Sequence, residues 1–307
     1  MSEVIDNVLS NIKMFEKERY KNMTVIGLNV PNKDLDLMSL EIGLNLGLVK
    51  ITEIDDNGSV GNVRVVNNAV VPLLILDGEE IVGSKQNRIV NSTIIIPAKS
   101  EKIIPVSCVE AGRWRSNSTK FHYSNHMATS RVRRDKLMSV SNSLRKNNSF
   151  VSDQNKVWKN IADTQKELNV VSQTDALHDS YSQRSSQMDE YKNAFPLHEN
   201  QNGLIVYING ELAGLEIIYN SGRYAGYHDK LVGSYILDAI SKQDEKYAMG
   251  ELGEDDLIER IRKTPCESFD SVGLGVDVRL EDDDITGSVM LYEDNLINAS
   301  FFRKVKA

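Results

Sequence analysis

The sequence predicts an α+β fold with largely antiparallel strands. A β-rich, sandwich- or barrel-like N-terminal part is followed by a helical middle and a further α+β C-terminal part. Three observations predict this order. Short runs of Val, Ile and Leu between turn residues fill the first third of the 307-residue chain, as they do in sheets. Apolar residues recur at helical spacing after residue 156. Asn209-Gly210 separates two apolar runs, which indicates an antiparallel hairpin.

The first third contains one predicted helix and five predicted strands. Val4, Val8, Leu9, Ile12 and Phe15 recur at helical spacing, so residues 3–18 are predicted to form an amphipathic helix. Between residues 19 and 110, only a weak helical pattern near 36–44 interrupts the apolar runs. The runs that we predict to be strands are 23–29, 47–54, 62–75, 92–96 and 102–108.

Residues 115–155 have a different composition, rich in Ser, Asn, Arg and Lys, with no clear period through most of their length. We predict a long basic loop or a substrate-facing lid, because loops longer than about 15 residues are usually functional or disordered.

On either side of this segment we predict two parts, a β-rich region with an N-terminal helix at 1–114 and a region of helices and antiparallel strands at 156–307. We expect these two parts to pack as one compact unit. The elements predicted in the last part are two helices over 157–191, the hairpin 203–218, helices 229–242 and 254–263, and strands 273–280, 285–292 and 296–302.

Composition excludes several classes of protein. With 40% hydrophobic residues, the chain is not wholly disordered, and it has no apolar run of about 18 residues that would span a membrane. The first residues lack the pattern of a signal peptide, so we expect a cytoplasmic protein. Cys108 and Cys266 form no CxxC pair, and no P-loop, GxGxxG, HExxH, GxSxG or EF-hand motif occurs. The sequence identifies no cofactor. It contains no motif that indicates a divalent metal, although it does not exclude one.

Charge is unevenly distributed within a net charge of −8. Residues 111–160 contain eleven Lys and Arg but two acids, a local excess of 11 − 2 = +9. Residues 241–294 contain six Lys and Arg but sixteen acids, a local 6 − 16 = −10. The basic segment either pairs with the acidic part of the same chain, binds a polyanion, or docks an acidic partner or another subunit. Bulk nucleic-acid binding is disfavoured because the chain as a whole is anionic, and a homo-oligomer is left open.

The densest polar cluster lies between two apolar strands, at residues 77–88. In a strand, Lys85 and Asn87 would face one way and Gln86 and Arg88 the other, so each face would carry one cation and one amide. Such pairs hold phosphate or ribose oxygens through charge-assisted hydrogen bonds. The neighbouring acids are candidates for a general base, a metal ligand or a ribose contact, namely Glu79 and Glu80. The alternative is a polar β-turn with an exposed strand edge.

A second cluster ends the last strand of the first third, at residues 105–114. Arg113 beside Trp114 suits an anionic group next to an aromatic base, and Glu110 is a further candidate general base. Cys108 is either a nucleophile, which would need a histidine such as His122 or His126, or a small buried residue. The alternative for both histidines is that they are ordinary residues of the surface or of the lid.

Glu216 lies among Leu215, Ile217 and Ile218 in the predicted hairpin. An acid in this position lies either on a solvent face or in a buried pair that serves a function.

Together the two clusters resemble a family named for its association with ADP-ribosylglycohydrolases and rhodanese-like phosphatases. The matching strings are LDGEEIVGSKQNR over 76–88, IPVSCVE over 104–110 and GRW over 112–114. A weaker match continues through Asn209-Gly210-Glu211, Gly214-Leu215-Glu216 and 231–239, so the resemblance spans about 20–242. It implies a link with NAD and ADP-ribose metabolism and with phage-defence conflicts. Residues 115–155 and the acidic part beyond 243 are not matched.

Three functions fit these residues. The first is recognition of an ADP-ribose-type or other NAD-derived nucleotide, in which cations hold phosphates, Trp114 stacks on the base and Glu79 or Glu80 bonds ribose. The second is a hydrolase acting on the same ligand class, with Glu79, Glu80 or Glu110 as general base. The third is a protein-interaction module that uses the basic segment 111–160. The residues expected to bind the ligand are Lys85, Gln86, Asn87, Arg88, Arg113, Trp114 and Glu216.

Overall fold

The computed structural model describes residues 3–31, 34–55, 58–116, 118–245 and 253–305. The chain forms two compact units. The terminal unit comprises residues 1–34, 184–270 and 276–307, and the central unit comprises residues 35–183 and 271–275. Each unit has its own sheet and its own apolar core.

The described residues form helices and strands in a mixed order. The helices are α1 (Glu3–Ser10), α2 (Leu40–Asn45), α3 (Ser130–Asn147), α4 (Gln154–Glu167), α5 (Leu177–Gln183), α6 (Ser185–Ala194), α7 (Ser221–Ala225), α8 (His228–Ser241) and α9 (Glu254–Lys263). The strands are β1 (Lys13–Tyr20), β2 (Met23–Asn29), β3 (Met38–Ser39), β4 (Val49–Thr52), β5 (Asn62–Asn67), β6 (Leu73–Ile75), β7 (Glu79–Gly83), β8 (Arg88–Val90), β9 (Ile94–Ile96), β10 (Ser100–Cys108), β11 (Phe121–Met127), β12 (Gly203–Ile208), β13 (Glu211–Ile218), β14 (Cys266–Asp270), β15 (Val276–Glu281), β16 (Ile285–Tyr292) and β17 (Asn295–Arg303).

The predicted α+β class is confirmed, and the β-rich first third provides most of the central unit. Its larger sheet has the order β11-β7-β8-β10-β5-β4, with antiparallel pairs throughout. A smaller sheet has the order β3-β6-β9. The predicted strand 62–75 is two strands in different sheets. The Asn67 side chain accepts from the Ala69 N–H (3.0 Å) in the turn that ends β5, and Pro72, which has no N–H to donate, precedes β6. Ile81, Val90, Val106 and Phe121 pack in the core on one face of the larger sheet.

The terminal unit is built on an eight-stranded antiparallel sheet with the order β1-β2-β12-β13-β17-β16-β15-β14. Its β12–β13 hairpin turns at Asn209 and Gly210, whose φ angles of 52° and 78° are those that the Asn-Gly signal predicts. Helices α1 and α9 contribute Ile5, Leu9 and Leu257 to the core on one face of this sheet. No helix in the described ranges combines the length and the apolar composition needed to cross a membrane.

The predicted helix 3–18 is wrong in its second half. Helix α1 ends at Ser10, and Lys13–Tyr20 is strand β1, which pairs with β2 from Lys13↔Asn29 to Tyr20↔Met23. Ile12 and Phe15 fit a helical period as well as a strand. The backbone hydrogen bonds offered by β2 decide between them, which is a tertiary contribution that local spacing does not contain.

The predicted loop over 115–155 contains strand β11 and the 18-residue helix α3. Thr129 caps the start of α3, where its side chain accepts a hydrogen bond from the Val132 N–H, and Asn148 ends the helix with a φ of 51°. Arg133 and Lys136 are buried on the same helix as Val132 and Leu137. These buried cations interrupt the apolar period and so weaken the amphipathic pattern of the helix in the sequence.

Candidate functional site

Of the two alternatives for residues 85–88, a strand and a polar β-turn, the structure has a tight turn. Strand β7 ends at Gly83, β8 begins at Arg88, and left-handed φ angles at Gly83 (118°) and Ser84 (49°) reverse the chain between them. The alternation of Lys85 and Asn87 against Gln86 and Arg88 is therefore wrong. The two amides act within the protein, since Gln86 Nε2 donates to the Glu110 carbonyl (2.8 Å) and Asn87 Oδ1 accepts from the Gly83 N–H (3.0 Å).

Arg88 is fully buried, with 0% of its surface exposed. Its guanidinium donates to Gln86 Oε1 (2.8 Å) and to the Ser59 carbonyl (3.2 Å), contacts Cys108 Sγ, and lies 3.7 Å from Glu53 Oε1. Arg88 therefore supports the turn from inside the sheet.

Cys108 is also completely buried. Burial raises the pKa of its thiol to about 11, against the opposing charge of Arg88, so the thiol is protonated at neutral pH. Because the thiolate is the nucleophile, this environment favours the small buried residue over the nucleophile.

Glu110 and Arg113 form a bidentate ion pair. Arg113 Nε donates to Glu110 Oε1 (2.7 Å) and Nη2 donates to Oε2 (2.6 Å). Thr174 Oγ1 adds a hydrogen bond to Oε1 (2.9 Å), and the Asn87 N–H adds one to Oε2 (3.1 Å). Burial raises the pKa of Glu110, but these donors, with Arg113 first, outweigh burial and hold it below its ordinary value. A carboxylate held in this way is a poor general base.

Arg113 also donates hydrogen bonds to the β7–β8 turn. Nη1 donates to the Ser84 carbonyl (2.6 Å), and Nη2 donates to the Gly83 carbonyl (3.4 Å) and to Asn87 Oδ1 (3.2 Å). Nη1 also donates to the Arg115 carbonyl (3.1 Å), which lies outside the turn. The geometry gives Arg113 a clamping role, in which it ties the β7–β8 turn to Glu110, rather than an open face toward a phosphate.

Trp114, in contrast, is open to solvent, with 47% of its surface exposed. The Lys85 Nζ lies 5.5 Å from the centre of the indole, and the Arg88 guanidinium carbon lies 5.6 Å from it. Three residues predicted from two separate strings are thus brought together. Of the three, Lys85 and Trp114 form the solvent-facing part, which we call the Trp114 surface.

Both acids of β7 are buried. Glu79 Oε2 accepts a hydrogen bond from the Leu76 N–H (2.8 Å), which closes the turn before the strand. Glu80 is 0% exposed, and its Oε2 accepts a hydrogen bond from Ser124 Oγ (2.6 Å). Its Oε1 is buried and has no hydrogen-bond partner within the described part of the chain.

His178 is not among the residues predicted from the sequence, yet it is the residue that faces Glu80. Its Nδ1 lies 3.7 Å from Glu80 Oε2, while 44% of its side chain is exposed. Glu80 raises the pKa of His178 above its ordinary value, against burial, and Asp179 and Glu110 add to the rise. No local signal identifies this pair, because Glu80 lies on β7 and His178 on α5, far apart in the chain.

His122 and His126, the two histidines that a Cys108 nucleophile would need, lie on strand β11. His122 is exposed. The ring of His126 stacks on Tyr181 at 4.2 Å between centroids and meets the ring of His178 edge-on at 5.2 Å. Among the residues with a described structure, no three His, Cys, Asp or Glu side chains are grouped as metal ligands.

Glu216 belongs to the sheet of the terminal unit and is buried. Tyr235 Oη donates to its Oε1 (2.7 Å) and Ser300 Oγ donates to its Oε2 (2.6 Å). Of the two predicted alternatives, the geometry is that of a buried, paired acid.

Much of the basic segment pairs inside the central unit. Arg131 forms a two-point ion pair with Glu167 (2.9 and 2.7 Å), and Arg134 Nε lies 2.8 Å from Asp135. Arg133 is buried, so it offers no charge at the surface.

The two units and the site define an α+β protein whose candidate site joins a half-exposed indole, a clamped hairpin and a buried carboxylate–histidine pair. The chain belongs to the ARPP-1 family, the ARG and Rhodanese-Phosphatase-superfamily-associated Protein domain, whose model matches residues 11–302. The resemblance seen in the sequence is confirmed, and the match also covers residues 115–155 and most of the acidic part. In the same comparisons no curated protein and no solved structure matches the chain.

Proposed function

We propose that the central unit recognises an ADP-ribose-type or other NAD-derived nucleotide at the Trp114 surface. The observation that carries the proposal is the half-exposed indole of Trp114 with the Lys85 ammonium 5.5 Å from its centre. An exposed indole stacks on a nucleobase, and an ammonium close to it meets the attached phosphates. The family description, which refers to ARG proteins, supports the choice of an ADP-ribose ligand.

Two neighbouring arginines hold this surface in place. The buried Arg88 guanidinium lies 5.6 Å from the centre of the indole, and Arg113 is hydrogen-bonded to the β7–β8 turn that carries Lys85. Prearranged side chains lose less entropy when a ligand binds, so a clamped turn strengthens binding without touching the ligand. Glu216 has no part in this surface, because its oxygens are bonded to Tyr235 and Ser300 in the terminal unit.

The proposal also includes a cellular compartment and a biological role. We place recognition in the cytoplasm, since Cys108 and Cys266 are both free thiols, as is usual in a reducing compartment. A role in phage-defence conflict is supported by the family resemblance alone. The interaction module is less favoured, because Arg131 and Arg134 already pair with acids of the same unit.

The two tryptophans of the chain allow a direct test. In Trp158→Phe, Trp114 is the only indole, so its fluorescence reports stacking as ADP-ribose, NAD or AMP is titrated. We expect quenching with ADP-ribose. Trp114→Leu should weaken the Kd from calorimetry by about 5- to 150-fold, since stacking contributes about 1–3 kcal/mol per base.

The control is Trp158→Phe itself, which should keep the wild-type Kd. Lys85→Gln should weaken binding mainly at low salt, because exposed charges are screened as salt rises. Absence of quenching by every ligand, or an unchanged Kd in Trp114→Leu, would remove this surface from the proposal.

A further inference from the structure

We infer that Glu80 and His178 form a general acid/base pair that hydrolyses a phosphoanhydride of the nucleotide bound at the Trp114 surface. The inference rests on the proposed function and adds a reaction to it. His178 takes no part in the recognition described above, and neither does the unpartnered oxygen of Glu80. The pair brings together a fully buried carboxylate and an imidazole with 44% of its side chain exposed.

The buried carboxylate of Glu80 needs a cation close by. A buried charge is costly unless it is paired and hydrogen-bonded. Ser124 supplies one hydrogen bond to Oε2, while Oε1 has no partner among the residues described. The only ion-pair partner that the geometry gives Glu80 within this described region is His178, at 3.7 Å. The group that faces this buried carboxylate is therefore a side chain that water can reach.

The Nδ1 atom of His178 is buried and faces Glu80, although 44% of the side chain is exposed. A carboxylate beside Nδ1 holds the proton on that nitrogen and leaves the lone pair of Nε2 for proton transfer. Histidines oriented by a carboxylate act as general bases in many hydrolases.

The charged and aromatic groups around His178 come from each element that meets it. Glu80 lies on β7, Glu110 at the end of β10 and Asp179 on the same helix, and all three acids raise the pKa of His178. On β11, His126 meets the ring edge-on at 5.2 Å and also stacks on Tyr181. This aromatic side fixes the ring, while the acids favour its protonated form.

Hydrogen bonds connect the pair to the Trp114 surface. The Gly112 N–H donates to the Thr174 carbonyl (2.8 Å), and the Leu177 N–H donates to the Val109 carbonyl (2.9 Å). The Glu110 carboxylate bonds both Arg113 and Thr174. These bonds hold the loop that carries Trp114 against the start of α5, where His178 lies.

The reaction balances with water as the only second reactant. His178 Nε2 takes a proton from water, and the water oxygen forms a bond to phosphorus. The bond from phosphorus to the bridging oxygen breaks, and that oxygen leaves with the electron pair. The imidazolium then returns its proton to the leaving oxygen. Glu80 faces Nδ1 and stabilises the imidazolium, so it is a positioning residue.

A glycosidic reaction fits the site less well. Such hydrolysis uses two carboxyl groups that flank the bond, about 5–9.5 Å apart. Glu110 is bonded by Arg113 at both oxygens, and Glu79 accepts the Leu76 N–H. Neither is a second carboxyl group that can transfer a proton, so the phosphoanhydride is the bond that the site suits.

The test incubates the full chain with ADP-ribose in ¹⁸O-labelled water and separates the products. We expect AMP and ribose 5-phosphate, with one ¹⁸O in one of the two phosphates. His178→Asn and Glu80→Gln should each lower the turnover rate at least about 100-fold. Both should keep the ADP-ribose Kd within about twofold in the Trp158→Phe background. The matched control is His122→Asn, an exposed histidine of the same unit.

Further readouts distinguish a catalytic pair from a structural one. The wild-type rate should rise with pH through a pKa above 6.5, and Glu80→Gln should move that limb to lower pH. Binding without turnover by the wild-type chain overturns this inference and leaves recognition standing, whereas absence of binding removes the proposed function as well. Full turnover in His178→Asn, or release of a glycosidic product, would also overturn it.

Discussion

The Arg113 clamp gives the most decisive prediction, because Arg113 also has the residue type expected of a phosphate ligand. Arg113→Ala removes both ion-pair contacts to Glu110 and four further hydrogen bonds. Removing one partner of a buried ion pair costs about 3–5 kcal/mol. Asn87 and Thr174 still donate to the carboxylate, so we expect the lower end, about 3 kcal/mol. For a unit of this size, the melting temperature should fall by about 6–12 °C.

The cost should depend on pH. The pKa of Glu110 is held below its ordinary value of 4.5, so the clamp stabilises the fold above that pH and loses its contribution as pH falls through the folded value. Without Arg113, burial acts on Glu110 with less opposition. The free-energy gap between wild type and Arg113→Ala should therefore be full at pH 7 and shrink below pH 4.5.

Urea unfolding of both proteins at pH 7 and pH 4 measures the gap, and calorimetry with ADP-ribose at pH 7 measures the Kd. Arg115→Ala is the control, because its side chain is exposed and the clamp uses only its backbone carbonyl. Unchanged stability together with lost affinity in Arg113→Ala would refute the clamp and show a phosphate contact instead.

Two other substitutions follow from the buried groups of the central unit. Lys136→Met should lower the free energy of unfolding in urea by about 3–5 kcal/mol, because the buried Asp77 carboxylate would lose its only ion-pair partner in the described structure. The control is Lys159→Met on the exposed side of α4, which should change the free energy of unfolding by less than about 0.5 kcal/mol. Cys108→Ala should keep turnover and ADP-ribose affinity, since the Cys108 thiol has a pKa of about 11 and is not the nucleophile; loss of turnover in a folded Cys108→Ala variant would contradict this.

The parts of the site that sequence reasoning anticipated lie on neighbouring strands. Arg88 on β8 pairs directly with Cys108 on β10, so the two polar strings meet where the sheet brings their ends together. A search for strings between apolar runs therefore finds Lys85, Arg88 and Trp114. The same search does not predict which of the cations is buried. The direction of each side chain depends on the turn at Gly83 and Ser84 rather than on the alternation of a strand.

The parts that it missed depend on contacts between distant elements. His178 meets Glu80 only when α5 packs near β7, and β1 is a strand because β2 lies beside it. Helix α3 was missed for a different reason. Pattern analysis assumes that buried helix faces are apolar, and Arg133 and Lys136 violate that assumption.

The buried lysine of α3 also determines where the helix sits. Lys136 donates to Asp77 and to the Asn91 carbonyl (3.0 Å) from a side chain with no exposed surface. If α3 slid by one turn, about 5.4 Å, Val140 would face Asp77 and the lysine would lose its carboxylate. That mismatch would cost several kcal/mol, whereas a wholly apolar face would tolerate the slide. The charge that hides this helix from sequence analysis thus fixes the helix against Asp77 and the Asn91 carbonyl.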